Sequence, residues 1–161
     1  MRLAGIVAGA TFVLDQATKL AVVQGLNLIE RGAIDVLPPF LVFRMAWNRG
    51  VNFGLFAHDA EVMRWVLIAV ALAISAWVWV WIRREGGTRG QQWAAGLLIG
   101  GALGNVIDRI VYGAVADFLN MSCCGIENPY AFNVADIAIF MGAIGLIFVT
   151  GGKPAKDGKT P

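Results

Sequence analysis

The chain has 161 residues, 58% of them hydrophobic and only 15% charged. A soluble domain of this length carries about a quarter charged residues, so most of this chain belongs in lipid. The net charge of +2, without a long basic tract, excludes a partner held through a nucleic-acid backbone.

At about 20 residues per span the length accommodates one domain with four spans, and four apolar segments of that size occur. The first, about 3–24 (LAGIVAGATFVLDQATKLAVVQ), follows Arg2 as a signal peptide would. Its apolar character resumes after Asp15 and Lys19 and no A-x-A-like site follows, so an uncleaved span is predicted. An outer β region comes next, at about 27–57. Within it, IDVLPPFLVFRMAWN carries aromatic and β-branched residues in partial period-two alternation, broken by Pro38 and Pro39. This predicts a small sheet on the outer membrane surface. NRGVNFG reads as a glycine-rich turn back toward the bilayer. Further spans are predicted at about 62–82, 93–112 and 132–149, and the tail at about 151–161 reads as disordered. The fold class is an α-helical membrane protein, a single embedded domain over residues 1–161.

Arg2, Arg83, Arg84, Arg89, Lys153, Lys156 and Lys159 fall on one side of these spans. The positive-inside rule places that side, with both termini, in the cytoplasm. Trp77, Trp79, Trp81 and Trp93 gather toward the same side as an aromatic belt. Orientation turns position into depth. Asp15 lies in the outer half of the first span, with Lys19 one turn further out on the same face. Asn105, Asp108 and Arg109 lie near the outer end of the third span, and Asp117 just beyond Gly113, where that helix is expected to end. Asn133 and Asp136 occupy the first two turns of the fourth. Four stretches thus bring polar residues to one outer level.

Intramembrane charges usually pair, and Asp15–Lys19 and Asp108–Arg109 read as structural pairs. Asp117 and Asp136 are then left without a cation. Two neighbouring carboxylates cannot both ionise, so they share a proton. One then takes a proton from water while the other donates to a carbonyl oxygen, which is aspartic-protease chemistry. Other schemes are poorly supplied. Ser75 lies mid-span, and nothing in the spacing recommends a Ser122–Lys19 dyad. His58 lies in a loop with no partner at ligand spacing. Cys123 and Cys124 are adjacent, so they rarely bridge, and read as a lipid- or core-facing pair. The glycines of LLIGGALGN read as small residues for close helix packing, not as a phosphate cradle.

Four motifs in order resemble those of the lipoprotein signal peptidase (signal peptidase II) family: DQATK at 15–19, WNRGVNFGLF at 47–56, GGALGNVIDRIVYGAVADFL at 100–119 and FNVADIAI at 132–139. The resemblance covers nearly the whole chain. It implies four transmembrane helices with an extracytoplasmic β-cradle and a short surface helix. It also implies a bacterial inner-membrane aspartic endopeptidase that needs no metal or organic cofactor. The implied substrates are prolipoproteins, cut just before a cysteine carrying diacylglycerol, and the implied inhibitors are globomycin-type cyclic peptides. By the same resemblance Asp117 and Asp136 are the catalytic pair. Asp15, Lys19, Asn48, Gly50, Gly104, Asn105, Asp108, Arg109, Asn133 and Ala135 fall on the remaining motif positions, as substrate-binding or site-supporting residues. Asn48 and Asn105 are expected to orient substrate main chain. The apolar faces around GVNFGLF and VADFL are expected to receive the lipid. Two readings from other classes stay open: a proton-coupled transporter or ion-pathway subunit, and a non-catalytic assembly factor. Four spans without a repeat, and carboxylates gathered at one depth, argue against a proton path.

Overall fold

The computed structural model describes residues 1–50 and 60–150. Helix α1 (Arg2–Lys19) runs on into a π-helical segment, Leu20–Gly25, and a single helical turn, α2 (Leu28–Arg31), follows. Two strands come next, β1 (Ala33–Leu37) and β2 (Leu41–Asn48). Then come α3 (Ala60–Glu85), α4 (Arg89–Tyr112), strand β3 (Val115–Asn120) and α5 (Val134–Thr150).

Among the described residues, three helices are long and apolar enough to cross a membrane: Arg2–Gly25, Glu61–Glu85 and Arg89–Tyr112. The expected span at 132–149 is instead a shorter apolar helix of 17 residues. Its start is delayed because Phe132 bridges to Leu119 and Asn133 caps the helix.

Helix α4 is the hub. About two thirds (67%) of its apolar window is buried, against 22% for α3. The reason is its run of small residues. A Cβ on Gly96 would lie 2.6 Å from that of Val7 on α1, and one on Gly101 would lie 2.5 Å from the Ala135 carbonyl oxygen on α5. The glycines therefore serve close packing, as the sequence predicts. Helix α3 instead turns Val70, Leu72, Ile74 and Trp77 outward, and Trp77 stacks on Trp81 with ring centroids 6.2 Å apart. Helix α4 opens with a capping box between Thr88 and Gln91, and closes at Gly113, where φ is +77°. The sequence places its end at that glycine.

The sheet has the order β1-β2-β3, all antiparallel. The first two strands pair as a hairpin across Pro38 and Pro39, within the stretch predicted to form a small sheet. The third, β3, is not among the elements read from the sequence. Its alternation buries Ala116 and Phe118 against Val23 and Leu28, with Phe43 edge-on to Phe118 at 6.0 Å. Ala116 and Phe118 of VADFL are thus spent on this core, with Leu119 packed against it. Cys123 and Cys124 are exposed free thiols in the loop after β3, which rules out a core-facing pair. The turn beyond Gly50, the GVNFGLF face, His58 and the tail from 151 lie outside the described residues.

Candidate active site

Strand period two that buries Ala116 and Phe118 turns Asp117 to the other face of the sheet, toward the starts and ends of the helices. In the β2–β3 register Ala46 is opposite Asp117 and Asn48 opposite Val115. Asn48 is therefore the diagonal neighbour of Asp117 on the same face, and its Nδ2 donates to Asp117 Oδ2 at 3.0 Å. The amide of Asn48 is held in that orientation by Gly50, whose N–H donates to Asn48 Oδ1 at 2.9 Å. Gly50 needs its positive φ of +103°, and a Cβ there would run into Leu67 of α3.

Asp136 sits three residues after Asn133, at the start of α5. The two close a reciprocal cap: Asp136 N–H donates to Asn133 Oδ1 at 2.9 Å, and Asn133 N–H donates to Asp136 Oδ2 at 3.1 Å. Asn133 Nδ2 also reaches across to Asp117 Oδ1, at 2.6 Å. From α4, Asn105 Nδ2 donates to Asp136 Oδ1 at 2.9 Å. Each of the four oxygens of Asp117 and Asp136 thus accepts from one neutral N–H, supplied by Asn48, Asn105 and Asn133. Neither carboxylate forms an ion pair with a described residue. Burial, followed by the charge of Asp136, pushes the Asp117 carboxyl up to about 7. Asp117 is 3% exposed, whereas Asp136 is only half-buried.

Behind this pair lies a second cluster. Lys19 Nζ is 2.8 Å from Asp15 Oδ2 and 2.8 Å from Asp108 Oδ2, and 3.3 Å from Asn105 Oδ1. All its donors are engaged, so it has no free valence to act as a base toward Ser122. The Ser122 hydroxyl instead accepts from Asn128 N–H at 3.0 Å. The expected Asp15–Lys19 pair is present, but the expected Asp108–Arg109 pair is not. Residues adjacent on a helix point about 100° apart, and Asp108 points at α1 while Arg109 does not. Arg109 donates to Asn105 O at 3.2 Å, and its charge lies within reach of those of Asp136, Asp117 and Asp108. The proposed dyad therefore has a cation in its surroundings, contrary to the sequence expectation. Gly104 makes room for Asp15, whose Oδ2 a Cβ would strike, and Ala135 N–H donates to Asp15 Oδ1 at 2.9 Å.

Gln16 belongs to this cluster and the motif reading passes over it. Its Nε2 is 3.1 Å from both Asp15 Oδ2 and Asp108 Oδ1. The available signal was an uncharged amide well inside an apolar run, next to an intramembrane acid.

An apolar groove of about 470 Å³ runs between α3, α4 and α5. Leu67, Val70, Ile74, Ala102 and Ile139 line it, and Asn105 and Arg109 stand at its polar end.

The family described as Signal peptidase (SPase) II matches residues 7–150 of the chain. A lipoprotein signal peptidase of Methylorubrum extorquens is 48% identical over 138 residues, covering 86% of this chain and 79% of that one. One from Rhodopseudomonas palustris is 40% identical over 149 residues, covering 91% and 88%. A solved bacterial membrane enzyme superposes with a TM-score of 0.78 at 25% identity over 96% of each chain. With sequence and fold both matching from the first helix to the last, the chain belongs to the signal peptidase II family of bacterial membrane peptidases.

Proposed function

We propose that this chain is an aspartic endopeptidase that removes the signal peptide from prolipoproteins carrying diacylglyceryl-cysteine. Cleavage falls just before the lipidated cysteine. One observation carries the reading. Asp117 and Asp136 share the donor Asn133, are held only by neutral amide N–H groups, and lie beside the polar end of an apolar groove.

The two acids differ in environment, which assigns their roles. Asp136 is half-buried at the first turn of α5, and is the more accessible of the two to water. Asp117 is buried and holds its proton to about pH 7. Ionised Asp136 takes a proton from water, whose oxygen attacks the scissile carbonyl carbon. Asp117 gives its proton to the carbonyl oxygen, forming a neutral diol. When the diol collapses, the C–N bond breaks, the amine of the cysteine takes a proton from Asp136, and Asp117 recovers its own. Asn48, Asn105 and Asn133 hold both acids at fixed angles throughout, and Arg109 stabilises the net negative charge of the pair.

In this reading α5 completes four spans, both termini lie in the cytoplasm, and the pair faces the outer leaflet of the inner membrane. The acyl chains stay in that leaflet and hold the scissile bond at the depth of the pair, while the α3–α4–α5 groove takes an apolar stretch of substrate. Globomycin-type cyclic peptides block the same place. The bonded cluster of four carboxylates is compact, and does not form the chain of acids that a proton path across a bilayer requires.

The test uses purified protein in excess over lipid-modified and unmodified precursors in the same micelles. Single-turnover cleavage of the modified precursor should be faster by on the order of a hundredfold or more, because the lipid holds the bond in place. No cleavage of the modified precursor would overturn the function, and equal rates would overturn the role given to the lipid.

A further inference from the structure

The residues immediately before the two proposed catalytic acids are held in the same way. Ala116 N–H, just before Asp117, donates to Asp108 Oδ2 at 3.1 Å. Ala135 N–H, just before Asp136, donates to Asp15 Oδ1 at 2.9 Å. Asp15 and Asp108 are in turn joined to each other twice, by Lys19 Nζ at 2.8 Å from both and by Gln16 Nε2 at 3.1 Å from both. Asp15 is 0% exposed, Asp108 1% and Lys19 6%, so water has little access to the lysine's bonds, while Gln16 is half-buried.

We propose that Gln16 and Lys19 are positioning residues: by tying Asp15 to Asp108 they fix the separation of the backbones that carry Asp117 and Asp136. The inference rests on the reading of that pair as the catalytic dyad. Strand β3 and the start of α5 are linked elsewhere by the Leu119–Phe132 backbone bridge and by Asn133. Asn133 Nδ2 also donates to Ala116 O at 3.4 Å. The Asp15–Gln16–Lys19–Asp108 tie attaches the same two backbones at a further place, through the N–H groups of Ala116 and Ala135, and restrains their separation. The chemistry is sensitive to it, since two acids share a proton only while their coupling is strong, and coupling falls with separation.

The charges facing the pair are Asp15 and Lys19 from α1, and Asp108 and Arg109 from α4. From α3, Arg64 pairs with Glu61 and donates to Ile110 O at the end of α4, while Arg44 and Arg49 beside the sheet are exposed. Lys19 therefore also acts on the dyad through space, and its charge must be separated from its geometry. Gln16 allows that, because Gln16→Met changes no charge.

The experiment measures single-turnover cleavage of a lipid-modified precursor against pH for wild type, Gln16→Met and Lys19→Met, with binding of the precursor measured alongside. The tie predicts that Gln16→Met lowers the maximal rate about tenfold and Lys19→Met about a hundredfold, as expected for displacements up to about 1 Å, with precursor affinity unchanged. It also predicts that the bell-shaped profile narrows from both sides in both variants, because weaker coupling draws the two macroscopic pKa values together. In Lys19→Met that narrowing is superposed on a displacement of both limbs to higher pH. An unaltered Gln16→Met profile overturns the proposal, as does an undiminished width in Lys19→Met with both limbs merely displaced. Where Lys19→Met fails to fold, Gln16→Met decides alone. If wild type shows no two-limbed profile, or if Asp117→Asn still cleaves, it is the dyad reading that fails and not the tie.

Discussion

Two pairs of aspartates lie a few residues apart in the same bundle, and the chain treats them oppositely. Asp15 and Asp108 share one lysine, one glutamine and one backbone N–H each. Asp117 and Asp136 receive only amide N–H groups. The first pair shares the positive charge of one bonded lysine. The second pair keeps its charge repulsion, and burial adds to it at Asp117. A carboxylate neutralised by a bonded cation holds structure. One that is oriented by neutral donors and left with a charge problem is poised for proton transfer. The contrast lies in the partners, since residue type and level are the same.

The largest expected effect is at the second pair. Asp117→Asn and Asp136→Asn should each lower single-turnover cleavage by at least about a thousandfold, comparable to the loss on removing a general acid or base. Melting temperature in detergent should be unchanged or raised. Substantial residual turnover in either purified variant would place that residue with the structural pair.

Asp108→Asn should show the reverse signature. It removes one of the two buried carboxylates on Lys19 and leaves Asp15 as the remaining ion-pair partner; complete loss of a buried partner costs about 3–5 kcal/mol, so a smaller loss is expected here. Thermal unfolding should shift clearly downward, and an unchanged midpoint would erase the distinction between the pairs.

The smallest effect sharpens the comparison through pH. Folding raises the Asp117 carboxyl from 3.8 to about 7. The stability tied to this group is therefore fully present below 3.8 and is lost as the pH rises through 7. Asp117→Asn removes that loss, so its melting temperature relative to wild type should climb from about pH 4 to about pH 8. A difference that stays flat over this range would mean that burial imposes no penalty on the ionised acid.

Much of this was legible in the sequence, for local reasons. Apolar length pointed to the helices, alternation around Pro38 and Pro39 to a small sheet, and Gly113 to the end of α4. Asp15 and Lys19 are one turn apart on one helix, so their pairing follows from spacing. Asp108 met a different fate because its partner comes from another helix, and its neighbour Arg109 was the wrong candidate on geometric grounds. Strand β3 was not legible either. It is six residues long, follows a helix directly, and takes its hydrogen bonds from β2 and Phe132, both remote in sequence. Gln16 carries no charge to betray its place between two acids.

The bond from Asp15 to Ala135 joins the first helix to the beginning of the last. This has a bearing on biogenesis. While the chain emerges and its helices enter the bilayer one after another, Asp117 is in place before Asp136 exists to meet it. The proposed dyad is completed only when α5 docks, after the other described elements have been made. On the proposed reading, a copy without a docked α5 lacks one of its two acids, and the pair arises together with the finished bundle.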